Sequence, residues 1–239
     1  MSDTDRKVAV ITGGSQGIGA GLVAAYRARG WAVVANSLKI EPSKDPEVLT
    51  VAGDVSDPAT AERIADGAIE RFGRIDTLVN NAGVFMSKPF TEYTAADYAL
   101  VVGVNLAGFF WTTQRVIAEM ASRGGGGHVV QISATVADVA DSKSPSVLAA
   151  LTKGGLAAAT RSLAIEYASR GVRVNAVSPG IIQTSMYPPG SFDGLGDRMP
   201  PLGRVGTVDD VVDGILLLED SPYITGEVLH IDGGQIAGH

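Results

Sequence analysis

Short apolar runs alternate along the chain with longer stretches whose apolar positions recur at helical spacing. Lys7–Thr12, Ala32–Asn36, Val48–Ala52, Thr77–Asn80, His128–Ile132, Val172–Val177 and Glu227–Ile231 are brief, rich in β-branched residues and bounded by turn formers, which predicts strands. Gly17–Arg29, Ala59–Phe72, Ala95–Arg123, Pro145–Arg170 and Val208–Leu218 follow the helical period. The link between the second and third strands, residues 37–47, is short and holds two prolines, so it is expected to carry little or no helix. Such alternation needs right-handed crossovers and yields an α/β fold, a doubly wound parallel sheet with helices on both faces. No break in composition marks a linker, so residues 1–239 read as one domain. The Gly124–Gly127 run reads as a turn, and residues 185–201, rich in Pro and Gly and without a period, as a lid or binding loop.

Composition narrows the function classes. A formal net charge of −7 without a basic cluster argues against nucleic acid or an anionic membrane surface as partner, leaving a small-molecule substrate. With no Cys there is no disulfide framework and no sulfur-based metal site, and His128, His230 and His239 are too dispersed for a metal triad. Residues 1–7 lack the apolar core of a signal peptide, and the apolar stretch Ala99–Trp111 is interrupted by Asn105 and too short to span a bilayer. The expectation is a soluble, cytoplasmic protein.

The most informative segment is Thr12-Gly13-Gly14-Ser15-Gln16-Gly17-Ile18-Gly19, which follows the first strand and opens the first helix. Gly13 permits the tight turn, Gly17 lets the backbone approach a pyrophosphate, and Gly19 lets helix and strand pack closely. The helix start then offers N–H groups and a partial positive charge to phosphate. An acidic residue for the adenosine ribose is expected at the end of the second strand, about 20 residues on. That region reads Asn36-Ser37-Leu38-Lys39, with no acid before Glu41. A 2′-phosphate is therefore not repelled there, and Ser37 and Lys39 become candidates to hold it, although Lys39 reads equally well as a solvated loop lysine. NADP is favoured over NAD.

These residues resemble those of the short-chain dehydrogenase/reductase family, and the likeness covers nearly the whole chain. Ser15, Gln16 and Ile18 fill that family's glycine motif, Asn80-Asn81-Ala82-Gly83 its segment after the fourth strand, and Asp54-Val55 the position that holds the adenine amine. Pro179-Gly180-Ile181-Ile182-Gln183-Thr184 resembles the turn beside the nicotinamide, and Asp232-Gly233-Gly234 the C-terminal ending. The resemblance implies a Rossmann fold of seven parallel strands, NAD(P)-dependent oxidoreduction, and a homotetramer or homodimer built through the helices near 95–123 and 145–170.

The resemblance also implies a catalytic Asn, Ser, Tyr and Lys, and here the sequence departs. Asn105 fits the Asn, and Lys153, which also belongs to the cofactor site, fits the Lys. Four residues before Lys153, one turn away on the same face, stands Ala149 where the family has Tyr. The family's Ser falls on Ala134, flanked by Ser133 and Thr135 as alternative hydroxyls. Losing a general acid typically costs ~10²–10⁴ in rate. Three explanations stay open: a Tyr-to-Ala variant of an ordinary ketone reductase, a catalytically silent dinucleotide-binding protein, or an enzyme with another proton path. In the last case the donor is a water held by Lys153 and Asn105, or a side chain such as Tyr187 or Asp138, and cyclic imines, whose iminium form is already cationic, become candidate substrates. The expected substrate walls are Val84, Phe85, Met86, Val136, Val139, Ile181, Met186 and Tyr187, mostly apolar and without a cationic cluster.

Overall fold

In the computed structural model, residues 6–185, 190–192, 195 and 199–238 are described. Seven strands, β1 (Val8–Thr12), β2 (Ala32–Ser37), β3 (Val48–Ala52), β4 (Thr77–Asn80), β5 (Gly127–Ile132), β6 (Val172–Pro179) and β7 (Val228–Ile231), form one sheet in the order 3-2-1-4-5-6-7. Every pairing is parallel. The helices are α1 (Gly17–Ala28), α2 (Pro58–Phe72), α3 (Ala95–Val102), α4 (Gly108–Arg123), α5 (Val147–Tyr167) and α6 (Val208–Asp220).

Two cores flank the sheet. On one face Leu22 and Tyr26 of α1 and Val211, Ile215 and Leu218 of α6 pack on alternate residues of β1, β2 and β5. On the other, Ile64 and Ala68 of α2, Val116 and Met120 of α4 and Ala164 of α5 cover the remaining alternates. Parallel strands buried on both faces account for the near-continuous apolar runs in the sequence. The chain order reverses between β1 and β4, opening the crevice at their carboxyl ends where such sheets bind ligands. No helix joins β2 to β3, as the two prolines predict.

Two helices differ from the sequence reading in their extent. The helical run 95–123 is interrupted by a π-turn over Gly103–Ala107, centred on Asn105. By length and composition the whole run Ala95–Arg123 is long and apolar enough to cross a membrane, contrary to the judgement from Ala99–Trp111 alone, yet its inner face packs on the sheet through Val116, Ile117 and Met120. Helix α5 starts at Val147 with Ser146 as its N-cap, not at Pro145 behind Ser144. The carbonyl of Pro145 instead accepts hydrogen bonds from Lys88 N (2.9 Å) and Ser87 Oγ (2.9 Å), which draws this segment towards the loop after β4.

The end of the sheet remote from the crevice is locked by a buried polar network. Glu219 Oε2 accepts from Thr77 Oγ1 (2.8 Å), His128 Nδ1 (3.0 Å) and Tyr26 OH (3.1 Å). Asn175 Nδ2 donates to His128 Nε2 at 3.1 Å, which fixes the neutral tautomer with its proton on Nδ1.

Candidate functional site

The crevice begins with the glycine loop. Gly13 and Gly17 have φ of 67° and 53°, the left-handed region open to glycine at little cost. A Cβ on Gly19 would lie 2.1 Å from Gly13 O, so only glycine lets α1 press against the loop. A Cβ on Gly17 would meet nothing nearer than Thr184 at 3.5 Å, so the backbone there is bare towards the crevice. Helices α2, α3 and α6 are capped by the side chains of Asp57, Thr94 and Thr207, whereas α1 has neither a side-chain cap nor an acid in its first turn. Helix α5 likewise lacks a side-chain cap and a first-turn acid, so the start of α1 is set apart by its place at the crevice rather than by the missing cap alone. The Ile18 side chain packs into the core below.

Asn81 ties the two lips of the crevice together. Its Nδ2 donates to Thr12 O (2.9 Å) and Gly13 O (3.2 Å), while Thr12 Oγ1 accepts from Asn81 N (3.1 Å) and Ala82 N (3.0 Å). Thr12 was missed in the sequence because a threonine ending a strand carries no signature of its own. From the far side, Ser185 Oγ donates to Gln16 Oε1 at 3.3 Å, bringing the segment from Pro179 and Gly180 through Ile182 and Thr184 over the start of α1. The Ile182 side chain itself is buried in the core.

At the adenosine end, Asn36 occupies the region expected to hold an acid. Its Nδ2 donates to Val51 O (2.9 Å) and Gly53 O (3.1 Å), joining β2 to the end of β3. Ser15 Oγ and Ser37 Oγ lie 2.9 Å apart, and Lys39 is exposed just beyond. Asp54 Oδ1 accepts from Ser56 N at 2.9 Å, which holds this exposed carboxylate beside buried Val55.

The catalytic end centres on Lys153. Its Nζ donates to Ile132 O, the last carbonyl of β5, at 2.6 Å. A Cβ on Gly83 would stand 3.3 Å from that nitrogen and 3.4 Å from Asn105 Oδ1, a tight fit, so the bare glycine lets both groups close on the loop after β4. Burial lowers the Lys153 ammonium to about 8, and no charged group is among the causes of its shift.

Asn105 is brought to this end by the π-turn, a distortion frequent at functional sites. Its amide is fully engaged: Oδ1 accepts from Val84 N (2.9 Å), and Nδ2 donates to Val84 O (3.0 Å) and Thr152 Oγ1 (3.2 Å). It therefore positions the loop after β4 against α5. Ala149 lies one turn before Lys153 and is 2 % exposed. Of the two flanking hydroxyls, Ser133 Oγ donates to Lys153 O at 3.1 Å and so anchors α5, and buried Thr135 opens a 3-10 turn. Asp138 meets His230 Nε2 at 3.3 Å, a pairing with no trace in the sequence because the two are far apart along the chain. Among the expected substrate walls, Phe85 and Val139 are exposed, and Val84, Met86, Val136 and Ile181 are half-buried. Met186 and Tyr187 lie outside the described residues.

Comparison with known proteins assigns the fold and its loops to a family. The family model described as enoyl-(acyl carrier protein) reductase matches residues 13–235. The chain is similar to levodione reductase of Leifsonia aquatica, 36% identical over 261 residues, covering 99% of this chain and 96% of the relative. The chain belongs to the short-chain dehydrogenase/reductase family. Among solved structures, ElxO with NADP bound superposes with a TM-score of 0.88 at 29% identity, covering 98% of this chain and 100% of that one. The 3-ketoacyl-(acyl-carrier-protein) reductase from Brucella melitensis complexed with NADH superposes with a TM-score of 0.87 at 28% identity, covering 96% and 98%. Within this short-chain dehydrogenase/reductase, Lys153, Asn105 and the Asn81–Gly83 segment converge at the carboxyl ends of β4 and β5, and position 149 supplies only a methyl group.

Proposed function

We propose that the protein is an NAD(P)-dependent oxidoreductase that transfers hydride between a nicotinamide cofactor, NADP in preference to NAD, and a small, mostly apolar carbonyl or imine compound, by a proton path that does not use a tyrosine at position 149. The observation that carries this reading is the glycine loop, with Gly13 and Gly19 packed against Asn81 and the bare backbone of Gly17 facing Thr184, and a buried lysine at the end of the crevice. Both structural relatives described above hold a nicotinamide dinucleotide. In this reading the uncapped start of α1 binds the pyrophosphate, Asp54 the adenine amine, and Ser37 with Lys39 a 2′-phosphate. Lys153 and the Asn81–Gly83 segment hold the nicotinamide ribose, and Pro179, Gly180, Ile182 and Thr184 flank the nicotinamide. The bound cofactor supplies the hydride. The half-buried apolar walls, with no Arg or Lys among them, suit a neutral substrate.

A second reading, a nicotinamide dinucleotide-binding protein without turnover, is favoured by one observation: Ala149 is 2 % exposed, so its methyl faces packed surroundings. Titration with NADPH and NADH by fluorescence, followed by hydride-transfer assays on a panel of ketones and cyclic imines beside an Ala149→Tyr variant, separates the two. Turnover by the unaltered chain supports the first reading. Tight cofactor binding without any turnover supports the second, and ketone activity appearing only in the variant identifies an ordinary ketone reductase that lacks its acid. We further propose a cytoplasmic homotetramer or homodimer assembled through α4 and α5, whose outer faces carry Phe110, Leu151 and Ile165 at 50%, 57% and 81% exposure.

A further inference from the structure

We propose that the ammonium of Lys153 is itself the proton donor and acceptor at the reacting atom, an inference that rests on the oxidoreductase reading above. Three features of the site lead there. First, the positions from which a hydroxyl would act hold methyl groups, Ala149 on α5 and Ala134 after β5, and the neighbouring Ser133 hydroxyl is engaged with Lys153 O. Second, the lysine nitrogen is anchored in a way that survives loss of its proton. An ammonium has three N–H bonds and a neutral amine two, so the 2.6 Å bond to Ile132 O persists in both states and keeps the nitrogen in place. Third, on the side of Gly83 the nitrogen faces bare backbone: a Cβ there would lie 3.3 Å from Nζ and 3.4 Å from the uncharged Asn105 amide oxygen.

The groups packed against Lys153 explain why it can act as an acid near neutrality. Ile132 and Ser133 from the end of β5, Gly83 and Val84 after β4, Asn105 from the π-turn and Thr152 from α5 carry no ionisable side chain. Among the described residues no carboxylate, imidazole or second cation shifts the ammonium, and burial alone lowers it from 10.5 to about 8. A donor whose affinity for protons lies near the operating pH is suited to general acid–base work in both directions. In reduction, the hydride adds to the carbonyl carbon, the π electron pair moves to oxygen, and that oxygen takes a proton from Lys153 Nζ, leaving a neutral amine that is reprotonated from water. In oxidation, the neutral amine removes the hydroxyl proton as hydride leaves carbon.

Lys153→Arg is the deciding variant, because a guanidinium keeps the charge and the hydrogen bonds but does not release a proton. NADPH affinity is measured alongside, because Lys153 also holds the nicotinamide ribose in this reading, and kcat at saturating NADPH should fall about 10²- to 10⁴-fold. In the unaltered protein, kcat for reduction should fall above about pH 8 and kcat for oxidation should rise through the same pH. A readout independent of turnover is competitive acetylation of the cofactor-free protein across pH, followed by mass spectrometry: Lys153 should titrate near 8 rather than at the ordinary 10.5. A second variant, Lys153→Ala, should regain turnover with added small primary amines. Turnover by Lys153→Arg within threefold of the unaltered chain, or titration of Lys153 at its ordinary value, overturns the proton role and leaves the oxidoreductase reading standing. No turnover by the unaltered chain on any ketone or imine overturns that reading, and the proton role with it.

Discussion

Gly19→Ala tests the dinucleotide site most directly. The added Cβ would lie 2.1 Å from Gly13 O and 2.7 Å from Asn81 Nδ2. Carbon–oxygen contacts settle at about 3.3 Å or beyond, so α1 and the loop must part by roughly 1 Å. Both obstructing groups belong to the bridge between β1 and β4, since Asn81 Nδ2 holds Thr12 O at 2.9 Å and Gly13 O at 3.2 Å. Breaking these two bonds costs about 1–3 kcal/mol in total, taking ~0.5–1.5 kcal/mol for each. If that cost falls on the binding-competent conformation, NADPH affinity drops about 5- to 140-fold, at ~1.4 kcal/mol per tenfold. Gly154→Ala is the control: a Cβ there meets nothing within 4 Å, and a mid-helix Gly-to-Ala change should raise stability by about 1 kcal/mol. The assay is fluorescence titration with NADPH, paired with thermal melts of both variants. An unchanged affinity in Gly19→Ala, at unchanged melting temperature, would falsify the assignment of this loop as the cofactor cradle.

Other consequences can be checked in the same preparations. Lys39→Glu places an acid where Asn36-Ser37-Leu38 provides none, so NADPH should weaken about 5- to 10-fold, on the scale of an exposed ion pair and its reversal, with NADH little changed; equal loss for both cofactors would remove Lys39 from the 2′-phosphate site. Asn105→Ala strands Val84 N and O in a buried setting and should cost about 2–4 kcal/mol in urea unfolding, together with turnover; full stability in the variant would contradict the positioning role. The His128–Glu219 pair should make stability fall on acidification. Burial holds His128 below its ordinary 6.5, outweighing the opposing pull of Glu219, so below about 6.5 the unfolded chain takes up the proton first and stability declines. Burial alone raises Glu219, but hydrogen bonds from His128, Thr77 and Tyr26 bring it below 4.5, so its contribution is complete above 4.5 and disappears as pH falls through the lower folded value. Urea unfolding at pH 7.5, 6 and 5 should show this slope, and it should be steeper in Glu219→Gln, where His128 loses the upward pull of the carboxylate and is held lower still; an unchanged or reduced slope in the variant would count against the pair.

Much of the framework was readable because it rests on periodicity. Runs such as Ala32–Ser37 and Gly127–Ile132 are buried on both faces, so they read as continuous apolar segments. The helical run 95–123 was harder. Gly103–Ala107 keeps a helical pattern of side chains while its backbone opens into a π-turn, and nothing in residue type marks that change. The start of α5 was misread for a related reason. Ser144-Pro145 has the composition of a helix start, but Pro145 O is held by Lys88 and Ser87, partners 57 and 58 residues away in sequence, and such long-range contacts overrule a local signal.

The cofactor site and the chemical site differ in how they are written into a sequence. The first depends on where side chains are absent, and glycine records that directly: the contacts a Cβ would make at Gly13 and Gly19 show why no other residue serves there. The second depends on the surroundings of one nitrogen. Lys153 is marked in the sequence only by its likeness to the family's lysine, and the group that anchors it, the carbonyl of Ile132, has no distinctive letter. Even the burial that brings its ammonium to about 8 arises from apolar and amide groups gathered from β4, β5, α5 and the π-turn. The sequence records a methyl at position 149, but only the folded arrangement shows that the lysine one turn away is buried and anchored on the last carbonyl of β5.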